Sequence, residues 1–245
     1  MKPNRNDQIS PKIYQINYLQ HRAIKKFIIK NIKIHDLKGK KLHYLDIGCQ
    51  NKPYSLLFGS SNCCYWGLDV DPNTAADVIG NGIHLPFKDA SFDIVLCTQV
   101  MEHIFDFRSL VVEVYRCLQN KGILFLSVPF VWPLHAIPDD YCRFSRYMVE
   151  KMLIPLFNTV MIESSNGYLY TLCALINETT NLIPRRWYIK ALLFPLYVVM
   201  NLVGVLTDKI FLNETVWKFF PIQLTRPTQS YRQFPLNFFV VAVKS

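Results

Sequence analysis

The stretch Leu45-Asp46-Ile47-Gly48-Cys49-Gln50-Asn51-Lys52-Pro53-Tyr54 decides how this chain is read. A short apolar run ends beside an acidic residue, passes through a glycine and leads into a helix expected at about 53–58. A strand, a glycine turn and a helix start form the unit in which backbone approaches a nucleotide-like ligand and helix amides face its polar groups. Asp69 lies twenty-one residues after Gly48, at the end of a second apolar run, Tyr65-Trp66-Gly67-Leu68-Asp69. A carboxylate there can accept hydrogen bonds from both hydroxyls of a ribose. The dinucleotide fingerprint itself is poorly matched, because Gln50 and Pro53 occupy its second and third glycine positions. Close cradling of a pyrophosphate is therefore not expected, which argues against NAD or FAD. Asp46 suits a positively charged amine of the ligand, or an ordered water beside it.

Outward from this unit, short apolar runs alternate with helical stretches. Strands are expected at 42–47, 65–70, 77–79, 92–97, 123–128 and 157–163, with a last one at 237–243. Helices fit 106–118, ending in the turn Asn120-Lys121-Gly122, and 145–154. Near-continuous apolar strands separated by helices indicate a parallel sheet covered on both faces, a doubly wound α/β domain. The chain divides into a basic N-terminal helical region, 1–41, a core at 42–164, an apolar helical insertion at 165–235, and the final strand of the core at 236–245. Within the insertion, 191–207 carries no charge, is interrupted by Pro195 and Asn201, and is flanked by Arg185, Arg186, Lys190, Asp208 and Lys209. A single membrane crossing there would strand the last β-strand on the far side. The run therefore either packs within the protein or dips into one leaflet and returns.

Composition sharpens the picture. Of 245 residues 51% are hydrophobic and 18% charged, which excludes a disordered chain. The net charge of +9 arises wholly from residues 1–41, with 11 basic and two acidic side chains, while the rest carries 16 of each sign. Residues 11–33 read as an amphipathic helix with Ile13, Tyr14, Ile16, Ile24, Phe27, Ile28 and Ile32 on one face. Lys12, Arg22, Lys25, Lys26, Lys30 and Lys33 fall on the other. Asn17 and Gln20 intrude on the apolar face, and Leu19 and Ile29 on the basic one. Such a helix covers one side of the domain, or lies on anionic lipid, or closes over a substrate. A neutral body and no aromatic-basic platform argue against nucleic acid. Seven cysteines without a CxxC pair, and no apolar run behind residues 1–12, lead us to expect reduced thiols in the cytoplasm.

The ordered set LDIGCQNKPY, YWGLDVDP, LPFKDASFDIVLCTQVMEHI and EVYRCLQNKGILFLSVP resembles the class I S-adenosylmethionine-dependent methyltransferases, in particular the large type 11 group with an LPF-x-D-x-SFD signature. The resemblance covers about 42–154 and the last strand. It implies a seven-stranded Rossmann-like sheet with an antiparallel last strand, and S-adenosyl-L-methionine as cofactor. By position, Asp46, Gly48 and Cys49 would line the methionine and ribose end, Asp69 would bind the ribose hydroxyls, and Val70 would pack by the adenine. Asn81-Gly82 stands where the family usually has Asp-Ala, so Asn81 would contact the adenine edge. The backbone of Gln99 would face the methionine part. Gln50 replaces the family's usual glycine, which puts cofactor affinity in question.

A second cluster, Val128 to Ser145, follows the fifth strand at the carboxyl edge of the sheet. Its string H-x-x-P-x-D-Y-x-R-F-S resembles the acceptor loop of methyltransferase-type proteins of bacterial glycan biosynthesis. Methyl transfer to a hydroxyl needs an oriented nucleophile, exclusion of water and removal of a proton. His135 is the general-base candidate, Asp139 would orient it or bind sugar hydroxyls, and Tyr141 and Arg143 would hold the acceptor. A loop-bracing role for His135 and Arg143 is the other reading. Gln99-x-x-Glu102-His103 resembles the Glu-x-x-Glu-His run with which some RNA-end and quinone-pathway O-methyltransferases hold a divalent ion. Here Gln99 replaces the first carboxylate, and His135 would be the distant ligand. Glu-His also follows this strand across the wider group without metal, where it braces the loop, so no metal is expected.

The leading expectation is O-methylation of a saccharide or lipid-linked glycan intermediate, with the protein peripheral at the inner membrane face through 11–33 and 189–207. The alternatives are a soluble or quinone-like acceptor, and a non-catalytic binding protein of the same fold. The sequence leaves the oligomeric state open.

Overall fold

The computed structural model describes residues 8–38, 40–58, 64–182, 187–212 and 232–245. Seven strands form one sheet: β1 (His43–Ile47), β2 (Cys64–Asp69), β3 (Val78–Ile79), β4 (Phe92–Thr98), β5 (Leu118–Pro129), β6 (Thr159–Ser164) and β7 (Asn237–Val243). Their order is β3-β2-β1-β4-β5-β7-β6. β1 pairs in parallel with β2 and β4, and β4 with β5, whereas β7 runs antiparallel between β5 and β6. The winding reverses between β1 and β4, which opens a crevice at their carboxyl ends. This is the doubly wound sheet that the pattern of apolar runs predicts.

The central strands are mainly apolar because both their faces are covered. On one face α2 (Phe107–Cys117) and α3 (Arg146–Leu153) bury Leu110, Val111, Val114, Val149 and Leu153 against Leu45, Val95, Leu124 and Leu126. Each helix starts on a side-chain cap: Asp106 accepts the Ser109 N–H, and Ser145 the Met148 N–H. On the other face α1 (Tyr18–Ile34) buries Ala23, Ile24, Phe27, Ile28 and Ile32 against Tyr44, Ile94, Leu96, Phe125 and Phe239. Phe27 stacks on Phe239 with ring centroids 4.7 Å apart. The basic helix is thus a layer of the core. Each fully buried Ile or Phe contributes about 1.5–3 kcal/mol, so its place is set by burial rather than charge.

Three local expectations are corrected. Leu19, assigned to the basic face, is fully buried, because a second partner covers that side of α1: it packs with Tyr170, Cys173, Ala174 and Leu236, and its carbonyl accepts the Tyr170 hydroxyl at 2.6 Å. Asn120-Lys121-Gly122 does not cap α2. That helix ends at Cys117, Leu118 is already extended, and the turn is an irregularity within β5 with Lys121 at φ 64°. The helix expected at 53–58 is a single 3-10 turn, Ser55–Leu57. Gln50 and Lys52 in the left-handed region, followed by Pro53, break the run before a helix can start.

The insertion forms α4 (Tyr168–Thr179), a 3-10 turn (Thr180–Leu182) and α5 (Trp187–Phe211). Arg185 and Arg186, which the charge reading of this region included, lie outside the described residues, as do 213–231 of the insertion and Cys63. Asn201, which interrupts the apolar run, anchors α5 to the protein. Its Nδ2 donates to the carbonyls of Ile13 (2.7 Å) and Gln15 (3.0 Å), and its Oδ1 accepts from Asn177 Nδ2 at 2.9 Å. The opposite face of α5 exposes Leu192, Val199, Leu202, Val203, Leu206 and Ile210, whose three- and four-residue spacing makes one apolar stripe. Tyr168, Leu172 and Ile176 of α4 are exposed as well. The segment Ala191–Phe211, with mean hydropathy 1.7, is long and apolar enough to cross a membrane by length and composition.

Candidate active site

A cavity of about 240 Å³ lies at the carboxyl ends of β1 and β4, under α1. Its floor is the turn after β1. Gly48 has φ +67°, and a Cβ there would sit 2.3 Å from Val100 Cγ2, so both its backbone and its surroundings require glycine. Gly48 and Cys49 donate their N–H groups to the Leu68 carbonyl, which ties the turn to β2. Gln50 then adopts φ 44° and donates its N–H to Asp69 Oδ2 at 2.8 Å. Asp69 Oδ1 accepts the Asp71 N–H at 3.0 Å. The strand-end carboxylate is thereby held by two backbone amides before any ligand arrives.

Asp46 is fully buried at the end of β1 and lines the cavity, its Oδ2 accepting the Tyr65 hydroxyl at 2.7 Å. Burial pushes its pKa from 3.8 up to about 7, an effect that the Tyr65 hydrogen bond opposes. The Cys49 thiol beside it is pushed up to about 12, chiefly by burial, and is a neutral lining group. Gln99, at φ 55°, is fixed three ways: its N–H and Nε2 donate to the Ser127 carbonyl and Oγ, and its Oε1 accepts from Gln20 Nε2 at 2.9 Å. Gln20 is one of the polar residues on the apolar face of α1, and the structure shows why it is there: that end of the face looks into the cavity. His21, Ile24, Tyr54 and Thr98 complete this side. The sequence reading missed them, although an amide on an apolar helix face was the available signal.

Gln50, Gln99 and Ala136 (φ 50°) all line the cavity, and all are non-glycine residues in the left-handed region. Strain of this kind, about 1–3 kcal/mol per residue, persists where surrounding structure enforces it, typically at ligand sites. Asp69, Val70, Asn81 and Gly82 flank the cavity without lining it. Val70 is exposed, and Asn81 closes its own turn, with Oδ1 accepting the Ile83 N–H.

The loop after β5 brings His135 and Ala136 to the cavity opposite Gly48, and His103 joins them from the 3-10 turn after β4. The carboxylate beside His135 is that of Asp140, not Asp139: Asp140 Oδ2 lies 3.2 Å from His135 Nδ1 and accepts the His135 N–H at 2.9 Å. Asp139 instead accepts the Tyr141 hydroxyl at 2.8 Å, and its carbonyl lies 2.6 Å from His103 Nδ1. Arg143 does not reach toward an acceptor. Its five N–H donors go to Asp140 Oδ1 and Oδ2 and to the carbonyls of Trp132, Pro133 and Cys142. The guanidinium holds Asp140 ionised, well below the usual carboxylate range. Arg143 therefore braces the loop that presents His135, and Tyr141 is engaged within that loop.

Residues 45–126, about a third of the chain, match the family model of the methyltransferase domain. An uncharacterized protein of Methanocaldococcus jannaschii is 36% identical over 91 residues, covering 34% of this chain and 39% of that protein. A probable S-adenosylmethionine-dependent methyltransferase of Mycolicibacterium smegmatis is 38% identical over 73 residues, 26% of this chain and 28% of its own length. The matches thus span about two-fifths or less of these relatives. The structure of an S-adenosylmethionine-dependent methyltransferase from Archaeoglobus fulgidus superposes with a TM-score of 0.52 at 14% identity, covering 98% of this chain and 97% of that one. Residues 45–126 thus match a methyltransferase domain, and the sheet has the Rossmann-like fold of the Archaeoglobus structure. S-adenosyl-L-methionine is the cofactor of such domains, and the residues around Gly48, Asp46 and Asp69 suit its amine, backbone and ribose.

Proposed function

We propose that this protein transfers the methyl group of S-adenosyl-L-methionine to an oxygen of a saccharide or lipid-linked glycan intermediate, at the cytosolic face of a membrane. The observation that carries the methyl transfer is the shared cavity: the Gly48 turn and Asp46 on one side, His135 and His103 on the other. When bound, the cofactor supplies an activated methyl carbon. An acceptor hydroxyl would have to be oriented toward that carbon and lose its proton. This chain's part is to hold the cofactor by its amine and ribose, to exclude water under α1, and to serve proton loss at the histidine side. Asp139 acts as a positioning residue through its carbonyl on His103, and Asp140 orients His135.

The membrane part of the proposal is supported by the apolar stripe of α5 and α4 together with the lysines of α1. The saccharide rests on the resemblance of the loop around His135. Calorimetry with S-adenosylmethionine and S-adenosylhomocysteine tests the first step, and binding of neither sinks the enzyme reading in favour of a binding protein. Cosedimentation with anionic liposomes tests the membrane contact, which fails if the protein stays wholly in solution. Mass spectrometry of glycans and lipids from cells with and without the protein should reveal a species differing by one methyl group.

A further inference from the structure

A second cavity, of about 230 Å³, lies across α1 from the first, where that helix meets the C-terminal end of α5 and the carboxyl end of β6. α1 lines both cavities. Gln20, His21 and Ile24 face the cofactor side, whereas Arg22, Lys26 and Lys30, each about one turn from the next, face the second cavity. We infer that this second cavity binds the phosphate group of an anionic membrane lipid, whose chains lie along the exposed apolar stripe of α5. The inference rests on the membrane part of the reading above and replaces a diffuse contact by one site.

Charge is the first indication. Arg22, Lys26 and Lys30 line the cavity, and Lys209 and Arg232 stand close enough to act on Lys26 and on Asp208. Against these cations the cavity sets only Glu163 and Asp208. Lys30 is answered by Glu163 at 2.5 Å. Arg22 and Lys26 are not answered: neither forms an ion pair with a carboxylate of the described residues. Arg22 is held at the inner wall by the Tyr170 hydroxyl, which itself donates to the Leu19 carbonyl at 2.6 Å.

Asp208 does not cancel the pair. Its Oδ1 accepts the Gly167 N–H at 3.1 Å, and burial raises its pKa to about 6 in spite of both cations. Lys26 is lowered first by burial and then by Arg22, whose repulsion exceeds the attraction of Asp208. Two neighbouring cations in this state are stabilised by an anion placed against both. A phosphate offers acceptor oxygens only, which matches a guanidinium and an ammonium that can only donate.

The surroundings are the second indication, and they point to a lipid as the source of the phosphate. Leu206 and Ile210 are exposed beside Asp208 and Lys209, so the apolar stripe of α5 ends next to the cavity. Ala23, Phe27 and Phe239 give the cavity an apolar floor. A phosphate joined to acyl chains covers the stripe as well as the cations, whereas free phosphate leaves the stripe in water. The site lies about one helix diameter, roughly 10–12 Å, from the cofactor cavity. A lipid seated there therefore brings that cavity close to the membrane surface, where a lipid-linked acceptor is presented.

The test floats the full chain with vesicles of phosphatidylcholine alone and of phosphatidylcholine mixed with phosphatidic acid. Wild type should bind the mixed vesicles at least about tenfold more tightly. Arg22→Gln/Lys26→Gln should lose at least about tenfold more of that affinity than Lys25→Gln/Lys33→Gln, which removes the same charge from the same helix outside the cavity. Equal losses in the two double variants mean diffuse attraction and overturn the site. Should the first double variant fail to fold, Lys26→Gln against Lys25→Gln makes the same comparison. Relieved of the Arg22 repulsion, Lys26→Gln should unfold at the wild-type temperature or above. A lower unfolding temperature with unchanged vesicle binding assigns Lys26 to Asp208 and overturns the site as well. Inorganic phosphate, added at the concentration of lipid phosphate, should leave wild type on the mixed vesicles; full displacement, or equal binding to both vesicles, overturns the lipid as occupant. Wild type that binds neither vesicle fails the membrane reading itself and leaves methyl transfer standing.

Discussion

Replacing Asp69 by asparagine should weaken cofactor binding by about 10- to 150-fold. A carboxylate offers roughly four lone-pair sites, and in this structure two are taken, one on each oxygen, by the N–H groups of Gln50 and Asp71. Two remain, enough for the two ribose hydroxyls. Asparagine supplies only one acceptor oxygen, so its amide nitrogen must face either one of the backbone donors or one of the hydroxyls. At least one hydrogen bond to a charged acceptor is lost, worth about 1.5–3 kcal/mol. At about 1.4 kcal/mol per decade that is the range stated. Isothermal calorimetry with S-adenosylhomocysteine reads it directly, with thermal unfolding of the ligand-free variant as control. Binding within twofold of wild type, in a protein that unfolds normally, would refute the assignment of Asp69 to the ribose.

Three further outcomes follow from the geometry. Asp46 has its pKa raised from 3.8 to about 7 by burial. Its contribution to folding is thus fully present below about pH 4 and is lost as pH rises through about 7. Denaturant titrations should show the ligand-free wild type losing about 2–3 kcal/mol relative to Asp46→Asn between pH 5 and 8; a constant difference would contradict the burial. Asn201→Leu removes partners from the Ile13 and Gln15 carbonyls and from Asn177. We expect a loss of about 2–4 kcal/mol in chemical denaturation, whereas an α5 held by apolar packing alone would gain from the leucine. Gly48→Ala places a methyl 2.3 Å from Val100 Cγ2 at a left-handed position. It should cost about 1–3 kcal/mol of stability and at least about tenfold in cofactor affinity, with partial recovery in the Val100→Ala background as measured by the same calorimetry.

Much of this molecule was legible in one dimension because its signals are local. Short, largely apolar strand runs, the carboxylates at or near the ends of β1 and β2, and the glycine between them each report a backbone state that neighbouring residues dictate. The order of those elements is enough to indicate a doubly wound α/β sheet. Where local pattern failed, a partner distant in sequence had intervened. Leu19 lies on the basic side of α1 by helical angle, yet it is buried because α4 arrives there from 151 residues away and α5 from farther still. Asn201 looks like a flaw in an apolar run until the carbonyls of residues 13 and 15 meet it.

The acceptor side divides in the same manner. The composition of the loop after β5 marked it as functional, but could not say which of two adjacent aspartates would face His135, or that Arg143 would spend all its donors inside the loop. Those roles depend on a turn geometry and a burial that pairwise spacing does not encode. The joining of Glu102 and His103 with His135, some thirty residues apart in the chain, is likewise a property of two neighbouring strands, β4 and β5, ending at the same edge of the sheet. Local side-chain pattern selects the strands and turns; the packing of parallel strands selects which of their ends can share one small volume.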